Sequence, residues 1–203
     1  MNRRAMTLRA RLFAALVLPF ALIACGSESS APSDRPPLEG AAIGGPFTLV
    51  NKDGKTVTWA DFKGKYRIVY FGYTFCPDAC PLDVQALMKG FTLFEKASPE
   101  RAAKVQPIFI TIDPQRDTPQ VVGQWTAAFS PQLMGLTGTP DQVEVAAKAF
   151  AVYYARGKET SGGYLMDHSR IAYIMDPDGK PLAMLSVDKG GPRVAKELEK
   201  WVK

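Results

Sequence analysis

Arg67 to Pro81 reads RIVYFGYTFCPDACP. Its first part, Arg67–Phe75, is almost wholly β-branched or aromatic, as expected of a central strand buried on both faces. It runs straight into two cysteines, Cys76 and Cys80. Beyond them Leu82, Ala86, Met88 and Leu93 recur at roughly helical spacing, which predicts a helix from about Pro81 to Lys96. Both thiols therefore fall where a strand gives way to a helix. There the unpaired N–H groups and the macrodipole favour negative charge, so a thiolate is stabilised and the thiol pKa falls from about 8.5. A separation of i, i+4 puts both sulfurs on one side if the segment is helical. Such a pair suits a soft metal such as Cu(I), or alternatively a reversible disulfide. The two outcomes share one geometry and exclude each other at any instant.

Outward from this stretch, Val105–Ile112 (VQPIFITI) reads as a second buried strand, with Pro107 near its start. Thr118-Pro119 reads as an N-cap followed by proline at the first helical position, opening a helix that ends near Phe129. Asp141–Phe150 reads as another helix and Val152–Ala155 as a short strand. Upstream, Phe47–Val50 and Val57–Trp59 flank an Asp53-Gly54 turn and form a hairpin. Downstream, Ile171–Met175 and Leu182–Val187 flank Asp178-Gly179 and form another, before a final helix from Pro192. This order is that of an α/β, thioredoxin-like fold with an added N-terminal β-hairpin and a central insertion at 113–156.

The chain has 203 residues and a formal charge of +5. Residues 1–24 read as a lipoprotein-type signal peptide: Arg3, Arg4, Arg9 and Arg11 precede an apolar run from Leu12 to Ala24, shorter than the roughly 20 residues that span a bilayer. Leu22-Ile23-Ala24-Cys25 resembles a bacterial lipobox, which makes Cys25 the lipidated first residue of the mature chain. Residues 25–42 are rich in Ser, Ala, Pro and Glu and read as a flexible tether. Residues 43–203 suit one domain with a sizeable core. The leader holds four of the 25 basic residues and none of the 20 acidic ones, leaving 21 against 20. The basicity thus belongs largely to the leader, and a nucleic-acid partner is not expected.

With Cys25 assigned to lipid, Cys76 and Cys80 stand alone in an oxidising compartment. A loop so short braces little when closed, because it removes little unfolded-state entropy, so chemistry explains the pair better than stapling does. The only histidine, His168, lies in a stretch Gly162–Ser169 that reads as a loop entering a strand. A thiol–disulfide enzyme needs no such histidine, whereas imidazole adds to a metal site a borderline ligand able to hold Cu(II) as well as Cu(I). Four acids are candidates for support around the site. Asp78 sits between the cysteines, and Asp113 and Asp117 lie near a strand's C-terminal end, the usual side for a site in an open α/β sheet; each also has a plain reading as a turn or cap residue. Asp167 precedes His168 and is a candidate to orient it, although adjacent side chains on an extended segment point apart. Met166, Met175 and Met184 read as core residues, and Tyr70, Phe71, Tyr73 and Phe75 as strand packing around the site.

YFGYTFCPDACP, then FITIDPQRDTP, then DHSRIAYIMDPDG together resemble the Sco (SenC) family of copper-binding, thioredoxin-fold proteins, with the three motifs in family order from about Gly44 onward. The resemblance implies that Cys76, Cys80 and His168 bind copper, as Cu(I) or Cu(II). It also implies help in assembling the binuclear copper centre of cytochrome c oxidase. The expected partners are the copper-acceptor subunit of that oxidase, a periplasmic thiol reductant, and a membrane reached through the lipid anchor on its periplasmic side. The alternative is a thiol–disulfide oxidoreductase that reduces the acceptor's cysteines. A peroxidase is disfavoured, because thioredoxin-fold peroxidases carry threonine or serine three residues before the reactive cysteine, where this chain has Tyr73.

Overall fold

The computed structural model describes residues 35–160 and 163–203. The expected leader, the lipid-bearing Cys25 and the tether as far as residue 34 lie outside the described residues. From 35 onward the expected tether is already structured: Leu38 donates its N–H to the Leu182 carbonyl and packs on the core, within a turn closed by Glu39–Pro36 and Ala41–Leu38 hydrogen bonds. Packed structure thus begins before residue 43.

In chain order the elements are β1 (Thr48–Asn51), β2 (Thr56–Thr58), β3 (Tyr66–Gly72), α1 (Ala79–Ala97), α2 (Pro99–Ala102), β4 (Val105–Thr111), α3 (Pro119–Ala127), β5 (Met134–Thr137), α4 (Pro140–Ala149), β6 (Tyr154–Thr160), β7 (Gly163–His168), β8 (Ala172–Met175), β9 (Pro181–Leu185) and α5 (Gly191–Trp201). Seven strands form one sheet in the order β2-β1-β5-β4-β3-β8-β9, with β3, β4 and β5 parallel and their neighbours antiparallel. β6 and β7 form a separate two-stranded antiparallel ribbon.

The expected α/β architecture is present, including the N-terminal hairpin, which joins the sheet through β1 and β5. β3 is buried along its whole length, as its apolar run requires. Successive side chains serve opposite layers. Tyr70 lies beside Phe109, which packs on Trp125 of α3, and its hydroxyl reaches Asp83 of α1. Phe71 instead meets Phe150, which also touches Trp59. Helix α1 lies against α5 at very short range, where a Cβ on Gly90 would come within 2.5 Å of Val194.

Several sequence expectations shift. β3 ends at Gly72 rather than Phe75, because Thr74 is drawn away by Asp117. Leu82 and Leu93 face solvent; the buried stripe of α1 is Cys80, Asp83, Val84, Leu87, Met88, Phe91 and Phe94. The supposed short strand at 152–155 is the start of β6, and the supposed loop before His168 is β7. β5 was not anticipated. Met175 is core, as expected, but Met184 is exposed on the edge strand β9.

Candidate metal centre

The site lies where β3 hands over to α1. Between Tyr73 and Asp78 the chain makes a tight loop, and α1 begins at Ala79. Its N-cap residue, Asp78, makes no side-chain cap. That place is taken by sulfur: the Cys80 N–H donates to Cys76 Sγ at 3.3 Å. Cys76 therefore sits before the helix and Cys80 in its first turn, so the sulfurs converge by sulfur capping rather than by sharing a helical face. Gly72 leaves room for this, since a Cβ there would stand 3.2 Å from Cys80 Sγ. Both cysteines are free thiols.

His168 is the last residue of β7. Its Nε2 lies 3.2 Å from Cys80 Sγ, and its Nδ1 lies 2.9 Å from the Ser169 carbonyl oxygen. A carbonyl only accepts, so Nδ1 carries the proton and the Nε2 lone pair faces Cys80. The rings of Tyr70 and Tyr73 stand edge-on to the imidazole.

The two thiols differ electrostatically, which corrects the expectation that the helix end lowers both. Burial pushes Cys76 up, but the N–H groups of Cys80 and Asp78, with the side chains of Cys80 and Tyr73, favour its thiolate and bring it below the ordinary thiol value. Cys80 is raised strongly by burial, reinforced by Cys76, against opposing hydrogen bonds from the Tyr73 N–H and the Tyr70 hydroxyl. Burial likewise lowers His168 below its usual value, opposed by its bond to Ser169. Burial raises the Tyr73 phenol to about 12, so it stays protonated beside Cys76.

The four candidate acids separate into three behaviours. Asp78 is exposed and contributes its N–H, not its carboxylate. Asp113 and Asp117 are buried but bond to neither cysteine. Asp117 accepts from the Thr74 N–H at 3.0 Å and from the Thr74 and Thr111 hydroxyls, both at 2.5 Å, and so fixes the start of the cysteine loop. Asp113 accepts from Arg116 Nε at 2.5 Å and from the Tyr164 hydroxyl at 2.8 Å, fixing the ribbon. Asp167 is exposed on the outward face of β7 and does not orient the imidazole; the Ser169 carbonyl does.

Sequence reasoning missed Asp83 and Arg170. Asp83, 2% exposed, accepts from the Tyr70 hydroxyl and receives Arg170 through both carboxylate oxygens, at 2.9 and 2.7 Å. This fork pins the chain just after His168 onto α1. One signal was readable: Asp83 is a charge on the stripe that α1 buries.

Among the described residues no three His, Cys, Asp or Glu side chains already converge on one point. What is assembled is a thiol–imidazole contact with a second sulfur beside it. Two sulfurs and a neutral imidazole form a soft-to-borderline donor set that fits copper in either oxidation state.

The SCO1/SenC family model matches residues 35–203. The chain is 44% identical over 137 residues to the protein SenC of Rhodobacter capsulatus, covering 68% of this chain and 60% of that one. Among solved structures it is similar to Bradyrhizobium japonicum ScoI with copper bound, at 35% identity and a TM-score of 0.71, covering 79% of this chain and 100% of the other. It is also similar to BsSco, described as having a disulfide switch and as a member of the Sco family of cytochrome c oxidase assembly proteins, at 26% identity and a TM-score of 0.60, covering 79% and 94%. The chain spans about half the length of the curated relatives it matches.

Proposed function

This chain belongs to the SCO1/SenC family, and from that premise we propose that it is a membrane-tethered copper chaperone. It takes copper on Cys76, Cys80 and His168, is held at the periplasmic side of a membrane by lipid on Cys25, and assists assembly of the binuclear copper centre of cytochrome c oxidase. The observation that carries this reading is the contact of a neutral imidazole nitrogen with a buried thiol at 3.2 Å.

Copper is the cargo, and the residues have distinct work. Cys76, the more acidic and more accessible thiol, offers the first thiolate. Cys80 must lose its proton to ligate. Binding of the metal drives that loss, and His168 Nε2, whose lone pair faces Cys80, is the third donor. The Ser169 carbonyl holds the ring in the tautomer that leaves Nε2 free.

The difference between the thiols also favours a second reading, reduction of an acceptor's disulfide. The Cys76 thiolate attacks one acceptor sulfur, forming a mixed disulfide and releasing the other as thiolate. Cys80 gives its proton to the acceptor thiolate released first, then attacks Cys76 Sγ and releases the second acceptor thiolate. Two electrons pass to the acceptor, and the protein ends as the Cys76–Cys80 disulfide, which a periplasmic thiol reductant must reopen.

One experiment separates the two. Reduced, copper-free protein is mixed with an oxidised copper-acceptor domain. Transfer only from the copper-loaded form, with no acceptor dithiol produced by the copper-free form, supports the chaperone. Rapid appearance of that dithiol supports the reductase. Equal copper binding by the wild type and a Cys76→Ser/Cys80→Ser variant sinks the site itself.

A further inference from the structure

Arg116 lies outside the three proposed donors, yet it touches both segments that carry them. Its Nε donates to Asp113 Oδ2 at 2.5 Å, and its Nη1 donates to the Tyr164 carbonyl at 2.8 Å. Its guanidinium stacks on the Tyr164 ring at 3.7 Å and lies 4.8 Å from the Phe75 ring and 5.8 Å from the Tyr73 ring. Tyr73 and Phe75 belong to the loop that ends in Cys76. Tyr164 belongs to β7, where residues 164, 166 and 168 share the inward face.

We propose that Arg116 is a positioning residue for His168, fastening the β6–β7 ribbon to the Cys76 loop so that the imidazole is held against Cys80. The ribbon needs such a fastening because, among the described residues, it has no ladder with the main sheet. Side chains hold it instead. Asp83 grips Arg170 beyond its His168 end, and the Arg116–Asp113 pair grips Tyr164 toward its other end. Asp113 is 3% exposed and bonds Arg116 and the Tyr164 hydroxyl with different oxygens, so it dictates where both sit. A flat fork that bonds on two edges while stacking on its face is a task for arginine; lysine keeps the charge and loses the geometry.

The proposal rests on the copper-site reading for its consequence, though not for its geometry, and the test has one arm for each. Full-chain protein carrying Arg116→Met is compared with wild type, alone and combined with His168→Ala. In the metal-free state, hydrogen exchange at amides 163–168 is expected to quicken about tenfold, while amides of β3 keep their rates. In chelator competition, Arg116→Met is expected to weaken Cu(II) binding about tenfold where His168 is present and by less than about twofold where it is absent. Cu(I) binding, carried by the thiols, stays within about twofold of wild type.

Unchanged exchange in the ribbon overturns the fastening. Equal loss of Cu(II) affinity in both backgrounds overturns the action through His168. Absence of copper binding by wild type overturns the copper reading instead and leaves the exchange result to judge the ribbon. Should Arg116→Met fail to unfold cooperatively, Arg116→Lys is read against the same criteria, because it keeps the charge beside Asp113.

Discussion

Cys80 Sγ and His168 Nε2 lie 3.2 Å apart although 88 positions separate them in the chain. One sits in the first turn of α1, and the other ends a ribbon outside the main sheet. The proposed site is thus assembled from a part within the core fold and an appended part, and each can be tested separately.

The first test concerns the ligands. His168→Ala is expected to weaken Cu(II) binding by at least about tenfold, on the scale seen when the support of a metal ligand is lost. Cu(I) binding should change far less, because two thiolates suffice for the softer ion. Chelator competition in each oxidation state is the measurement. Equal loss in both states would contradict the assignment of imidazole to the harder ion.

The second test concerns the thiols. Cys76 lies below the ordinary thiol value and is half-buried, whereas Cys80 is buried and raised. Brief alkylation of the reduced protein near pH 7, read by peptide mass, should label Cys76 well before Cys80. The rate at Cys76 should climb at a lower pH than for an unperturbed thiol, because its thiolate forms earlier. Equal labelling of the two would refute the asymmetry.

A third expectation follows from His168 being the chain's single histidine. Burial holds its folded value below the unfolded one, about 6.5. The unfolded chain therefore binds more protons in mild acid, and stability falls as the pH drops through that value toward 5. The slope from this group cannot exceed about 1.4 kcal/mol per pH unit. Denaturant unfolding of His168→Gln at pH 5, 6 and 7 should show a flatter dependence than wild type. An identical slope would remove His168 as the cause.

Asp83→Ala should destabilise the fold by about 1–3 kcal/mol, through loss of the buried acceptor for Tyr70 and of the Arg170 fork. The figure stays below that for a fully buried pair because the Arg170 side chain is 51% exposed and can turn to water. Urea unfolding gives the free energy. The same variant should also quicken hydrogen exchange near His168, since the chain after it loses its hold on α1; protection there equal to wild type counts against that role.

Much of this was legible in the chain, for physical reasons that differ by element. β3 and β4 announce themselves because strands buried on both faces carry long apolar runs, here Ile68–Phe71 and Pro107–Ile110. The Thr118-Pro119 start of α3 is written in capping chemistry, and Thr118 does accept the Val121 N–H. β5 escaped notice because MGLT is short and holds a glycine, which is needed where Val122 and Thr126 press within 3.0 Å of a would-be Cβ. β6 was caught only at its start, as the short strand expected over 152–155, and β7 read as loop because its side chains alternate between exposed and partly buried and give no apolar run. The two cysteines and the histidine stood out by scarcity alone. Asp83 and Arg116 did not, since ionised residues are common and their roles arise only from tertiary partners. The different acidities of the thiols were equally invisible, because burial decides them and spacing does not reveal burial.

The separation of the β6–β7 ribbon from the seven-stranded sheet also sorts the chain by how freely it can vary. Insertions or substitutions toward the end of the ribbon away from His168 leave every ladder of the main sheet in register. The loop before α1 has no such latitude, since its residues are tied to β3, β4 and α1 at once. Divergence among related chains is therefore expected to concentrate in the element that supplies nitrogen and to spare the one that supplies sulfur. The imidazole's reach can be retuned by heredity without rebuilding the scaffold beneath it.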